Sequence, residues 1–174
     1  MTDLTPPSAP PPGGITLRVP SEDFPAAPSF ALTVPPSWRP EPTTDAALLA
    51  YDTASPAHFR TNVLVTVDRV RGDAELTGAL IRLAQVALGS YPDYRVLADH
   101  DAPVGGRPAK LRLHTFTPQP GATAVFQLQL LVFAPAPAGA PVHDLVQLHA
   151  TCSGELAGHY APDFENLLAS FVFA

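Results

Sequence analysis

Apolar and polar positions change period several times along this chain, and each change marks an element. Residues 15–19 (ITLRV) alternate and stop at Pro20, and residues 30–34 (FALTV) alternate and stop at Pro35 and Pro36. A period of two sends successive side chains to opposite faces, so both runs predict short strands. Ser37 and Trp38 then read as a turn followed by a packed aromatic anchor. Residues 47–52 (ALLAYD) fit a strand, and the β-branched alternation of residues 63–69 (VLVTVDR) predicts another. Over residues 73–90 the period becomes helical, with Leu76, Leu80, Ile81, Ala84, Ala87 and Leu88 on one stripe. Asp73 stands where a cap belongs, Gly89 where a helix ends, and Asp73 and Glu75 occupy the end that the helix dipole makes positive. Residues 94–99 predict a short strand and residues 101–107 (DAPVGGR) a turn. Residues 108–117 and 123–134 are long alternating runs joined by PQPG at 118–121, which predicts a hairpin. A Pro/Ala/Gly loop over 134–141 leads to a strand at 143–151. A terminal helix begins at Pro162, a residue suited to a first turn, with Phe164, Leu167, Leu168 and Phe171 on one side.

Strands, a helix, more strands and a helix, with short links between the late strands, predict an α+β fold. Its sheet is mostly antiparallel, with two main helices packed on it. Residues 1–14, with five prolines and two glycines, suit neither a helix nor a sheet interior. They are expected to form a disordered tail ahead of one domain over residues 15–174, a length that suits a single core.

Composition narrows the function. Charged residues are 15% of the chain and hydrophobic ones 46%, which suits a folded domain rather than a disordered one. The net charge of −6 and a basic set that is nearly all arginine, with no cationic run, exclude a nucleic-acid footprint. No stretch approaches the ~18 apolar residues of a membrane span. The first residues show neither the basic n-region nor the apolar h-region of a signal peptide, so the expected location is the cytoplasm. Cys152 is the only cysteine, which rules out an intrachain disulfide.

Phe30, Leu32, Val34, Pro35 and Trp38 set an F-x-hydrophobic-x-V-P-x-x-W segment, and Asn62 and Val63 open the next strand. Val104, Gly106, Pro108 and Ala109 set a hydrophobic-x-G-x-P-A turn, and Ser170 and Phe171 close the last helix. Across residues 30–173 these features resemble the actinobacterial LpqN/LpqT-like family. That family is grouped with DcrB-like and PsbP-like domains, so the resemblance implies a PsbP-like α/β/α sandwich and no enzymatic activity; no cofactor or metal is expected. Relatives in this grouping bind proteins: photosystem subunits, a small GTPase, or secreted effectors. By the same resemblance, the partner is expected to be another protein, a second copy of the chain included. The named mycobacterial members are lipoproteins with a signal and a lipidated cysteine, features not seen in residues 1–14.

The candidate site comes from strand parity. Arg112 and His114 share a face against Leu111 and Leu113, and Gln127 and Gln129 oppose Phe126, Leu128 and Leu130. Gln147, His149 and Thr151 oppose Val146, Leu148 and Ala150. If the apolar sides all turn to the helices, Arg112, His114, Gln127, Gln129, Gln147 and His149 form one exposed, amide-rich surface. Such groups both donate and accept, as a partner's backbone requires. A merely solvated sheet face shows the same alternation. Cys152 shares the parity of Leu148 and Ala150 and is expected to be a buried, inert thiol. There is no HxH, HExxH, CxxC or phosphate-binding loop, and His143 and Asp144 alternate in direction. The sequence thus points to a non-enzymatic interaction module, an adaptor or chaperone for a secreted or envelope-associated protein. The alternative is a carrier of a lipid-like small molecule, with its pocket between the sheet and the first helix. An enzyme would need His114, His149 and a carboxylate to converge in one cleft.

Overall fold

Long alternating runs satisfy their backbone groups by pairing side by side, and here they build one sheet. A computed structural model describes residues 26–56, 58–91 and 93–174. Its elements are β1 Phe30–Ala31, β2 Trp38–Pro40, β3 Leu48–Asp52, β4 Asn62–Arg71, α1 Leu76–Ser90, β5 Arg95–Val104, β6 Arg107–Phe116, β7 Val125–Phe133 and β8 Val142–Ser153. A 3-10 turn, Gly154–Leu156, leads into α2 Ala157–Ser170, and β9 Val172–Phe173 ends the chain. Seven strands form one antiparallel sheet in the order β2-β3-β4-β8-β7-β6-β5, and β1 pairs with β9 apart from it. The expected tail over 1–14, the domain boundary at residue 15 and the expected strand over 15–19 lie outside the described residues.

The apolar sides of the central strands meet in the main core. Val63, Val65, Leu128, Leu130, Val132, Val146, Leu148, Ala150 and Cys152 are buried with Tyr160, Phe164 and Leu167 of α2, and with Phe171. A much smaller cluster, Ala79, Leu80, Leu131 and Leu145, joins α1 to the opposite face. The register explains the division. Leu131 lies opposite Gln147 and Phe133 opposite Leu145, so both belong to the side that carries the glutamines. The result is an α/β/α sandwich, with two helices packed against a large antiparallel sheet.

Several local expectations shift for physical reasons. Only Phe30 and Ala31 of the 30–34 run form a strand, because Thr33 bonds α2 instead, its N–H donating to Ser170 Oγ at 2.9 Å. Trp38 is buried after a turn closed by its own N–H to the Pro35 carbonyl. The strand expected at 94–99 runs on to Val104, and the turn shrinks to Gly105 and Gly106, with φ of 56° and 73°. Such angles are the two-residue hairpin turn that glycine permits. Pro103 faces Pro108 across the hairpin, a pair that fits only a non-hydrogen-bonded position because neither has an N–H. At α1, Asp73 does not cap: its carboxylate takes both bonds of the Arg71 guanidinium at 3.0 Å, and Glu75 holds the cap position without a side-chain bond. The helix also passes Gly89, and Tyr91 is its C-cap. Finally, α2 begins at Ala157, five residues before Pro162. The carbonyl that Pro162 leaves without a donor belongs to Gly158, and both residues are exposed, so water can replace the bond.

Candidate functional site

All six residues of the expected site do share one face of the sheet. Arg112 lies opposite Gln129 and His114 opposite Gln127, and Gln129 in turn lies opposite His149. Gln147 follows two residues before His149 on β8. The face is not an exposed surface, however. Arg112 and His114 are each 4% exposed, Gln129 5% and Gln147 6%, while Gln127 and His149 are half-buried. The expectation of an open face assumed that both helices cover the apolar side. In the fold α2 takes that side and α1 lies on the polar one, so polar groups meant for water are enclosed.

Enclosure forces pairing. The Arg112 guanidinium donates from Nε and Nη2 to the two carboxylate oxygens of Asp99 at 2.7 and 2.8 Å. Its Nη1 reaches the Leu80 carbonyl of α1 at 3.2 Å and the Tyr94 hydroxyl at 3.5 Å. Hydrogen bonds from Arg112 hold the Asp99 carboxyl below the usual carboxylate range against the opposing effect of burial. Gln147 Nε2 donates to Asp68 Oδ2 at 2.5 Å. Gln127 Nε2 donates to Thr151 Oγ1 at 2.8 Å, and its Oε1 lies 3.2 Å from His149 Nδ1. His114 stacks near Tyr94 and Phe116, at ring separations of 5.0 and 5.8 Å.

Burial decides how the two histidines titrate. It lowers both from 6.5 to about 4, with Arg112 and His149 adding their repulsion at His114, and the Asp68 carboxylate opposing the shift at His149. Both imidazoles are therefore neutral near pH 7. Among the described residues no three His, Cys, Asp or Glu side chains come together as a metal site. His143 lies in β8 with its ring 5.4 Å from Phe133, and Asp144 pairs with Arg69 at 2.9 Å. Cys152 is fully buried and its thiol is pushed up to about 12 by burial, so thiolate chemistry is suppressed.

Sequence reasoning passed over Asp99, Asp68 and Tyr94 as members of this layer. Asp68 falls in the alternating run 63–69, and Tyr94 and Asp99 in the run 94–99, and nothing in either pattern singles them out. The signal that places Asp99 is its register opposite Arg112, which appears only once β5 is extended to Val104. A second buried polar pair was not legible at all. Tyr160 of α2 donates to Asp52 of β3 at 2.7 Å across 108 residues of sequence. Burial raises the Asp52 pKa, but the Tyr160 hydroxyl, the Ala54 N–H and Ser37 outweigh it and leave the carboxyl below its usual range.

Two concavities bear on ligand binding. A cleft of about 250 Å³ between α1 and the sheet is lined by Asp68, Val70, Arg82, Leu83, Leu145 and Gln147 among others. A groove of about 570 Å³ lies between residues 33–36 and α2. No helix among the described residues is long and apolar enough to cross a membrane.

Comparison with known proteins places this geometry. The family described as "Probable lipoprotein LpqN" matches residues 13–174. Among solved structures, LpqN of Mycobacterium tuberculosis, described as involved in cell envelope biogenesis, is 18% identical with a TM-score of 0.70 over 86% of each chain. The cyanobacterial PsbP protein of Synechocystis is 11% identical, TM-score 0.56, over 94% of this chain and 100% of that one. The Ran-binding protein Mog1p of Saccharomyces cerevisiae is 10% identical, TM-score 0.53, over 82% and 89%. No curated protein matches. The expected cytoplasmic location is corrected by the family match: a family of probable lipoproteins is an envelope family. The first residues, on which that expectation rested, cannot outweigh a match over most of the chain.

Proposed function

The chain belongs to the LpqN family of probable lipoproteins, and from that premise we propose that it is a non-enzymatic, envelope-associated module that binds another protein. The observation that carries the reading is the composition of the α1-side sheet face. Part of it is enclosed, but Leu64, Thr66, Gln127 and His149 remain half-buried at its accessible edge. Amide and imidazole groups stand beside apolar ones there, the mixture found where a polar rim meets an apolar centre in protein interfaces. Neutral histidines and fully paired carboxylates suit recognition, and none is poised beside a nucleophile. LpqN is tied to envelope biogenesis, and an adaptor or chaperone for an envelope or secreted protein fits the same role.

The test is site-specific photo-cross-linking in the native host. A benzophenone side chain at Thr66, on the accessible part of the face, is expected to give one discrete protein adduct. The same probe at Glu165, on the outer side of α2, is expected to give none. Adducts of equal yield at both positions, or at neither, would refute the reading. The carrier alternative is weaker on volume, because the α1 cleft of about 250 Å³ falls below the roughly 300–1,000 Å³ of small-molecule sites.

A further inference from the structure

The two helices of this sandwich are held to the sheet by very different seams. α2 buries Tyr160, Phe164 and Leu167 in the main core. α1 buries only Ala79 and Leu80, against Leu131 and Leu145, with Val70, Leu76, Leu83 and Phe133 at the margin. Two of the six residues of its apolar stripe never dock: Ile81 is 52% exposed and Leu88 58%. A helix whose stripe is only partly buried gains correspondingly little from packing.

The rest of the surface next to α1 is polar, and it is imperfectly satisfied. Gln147 is oriented by its Nε2 bond to Asp68, and its Oε1 is then buried without a partner among the described residues. The Nδ1 of His114 is buried in the same condition. An unpaired buried polar atom forfeits its bond to water and gains nothing in return, so Gln147 Oε1, which lines the cleft beside α1, favours separation of that helix from the face. The Arg112 bond to the Leu80 carbonyl is the polar tie across the seam, and water can replace it. By contrast, β4 to β8 are cross-linked along their whole lengths by paired strands.

We infer that α1 is a roof that lifts from the sheet as a unit while α2 and the sheet stay folded, baring Arg112, His114, Gln129 and Gln147. The purpose of the opening rests on the protein-binding reading above: it converts an enclosed amide layer into a surface on which a partner's backbone can bond. The opening itself does not depend on a partner. It makes α1 the low-stability cooperative unit of the molecule.

The native thiol supplies the internal reference. Cys152 is fully buried on the α2 side, so it reacts only when that core opens. Leu145→Cys places a second thiol under α1. The full chain is exposed to excess thiol reagent under native conditions, and modification of each cysteine is followed by peptide mass spectrometry. Residue 145 is expected to react about 30-fold faster than Cys152 or more, which corresponds to an opening about 2 kcal/mol easier than release of the main core. Ala79→Cys, on the helix itself, repeats the measurement with a smaller change of volume. Amide exchange of the unmodified chain adds a readout without any substitution, and α1 is expected to exchange well before β7 and β8. Equal thiol rates in either folded variant, or α1 amides that exchange together with those of β8, overturn the roof. The outcomes separate the two readings: equal rates beside a Thr66 adduct leave the binding face without a roof. Fast labelling beside no adduct leaves a mobile helix without the assigned purpose.

Discussion

Acidification should unfold this protein through two histidines. His114 and His149 take up a proton near 6.5 in the unfolded chain and resist it until about 4 in the fold, chiefly because burial penalises the charged ring. Between those values the unfolded state binds more protons than the native one, so stability falls as the pH falls. Their contribution is therefore fully present above 6.5, declines through the window, and is exhausted below about 4. Linkage over the shifts puts the loss between pH 7 and pH 5 at about 2 kcal/mol for each ring, or about 4 kcal/mol for the pair. The lowered carboxyls, Asp52 and Asp99, act in the same direction but at more acid pH, since theirs is lost below the ordinary carboxylate range. Urea titrations at pH 7, 6 and 5 measure the effect. With a slope of roughly 2 kcal/mol per molar for a domain of this size, the midpoint should drop by about 2 M. His149→Gln should remove about half of the pH dependence, and His114→Gln combined with it nearly all. A midpoint unchanged between pH 7 and pH 5, or a double variant that keeps the full dependence, would refute the argument.

Other outcomes follow from the packing. Phe164→Ala empties a site that is 1% exposed and flanked by Phe126 and Tyr160, and should cost about 3–5 kcal/mol in urea denaturation with the slope unchanged. Tyr160→Phe strips the buried Asp52 carboxylate of its hydroxyl donor and should cost about 1.5–3 kcal/mol. A double-mutant cycle with Asp52→Asn should show that the two losses are not additive. Gly106→Ala imposes a side chain at φ 73° and should cost about 1–2 kcal/mol. Gly89→Ala, where nothing lies within reach of the new methyl, should stabilise α1 by up to about 1 kcal/mol. Thermal melts of the two glycine variants, run side by side, test that contrast.

How much of this could be read without coordinates follows the range of the interactions concerned. Period two and period 3.6 are local properties, and they located β3, β4, α1 and the hairpin of β6 and β7 to within a few residues. Parity is local as well, so the sequence determined that Arg112, His114, Gln127, Gln129, Gln147 and His149 would share a face and that Cys152 would point away from them. The ends of elements were less legible, because they depend on competitors: Asp73 preferred Arg71 to the helix N-terminus, and Thr33 preferred Ser170 to a strand partner. What no local pattern could decide was which helix covers which face. Both helices carry an apolar stripe, and a stripe does not say which side of a sheet will receive it. Leu131, Phe133 and Leu145 stand among glutamines on the polar side, and only the closed fold shows them drawing α1 over that face. That single tertiary choice encloses Arg112 and Gln147, and it makes Asp99, Tyr94 and Asp68 their partners.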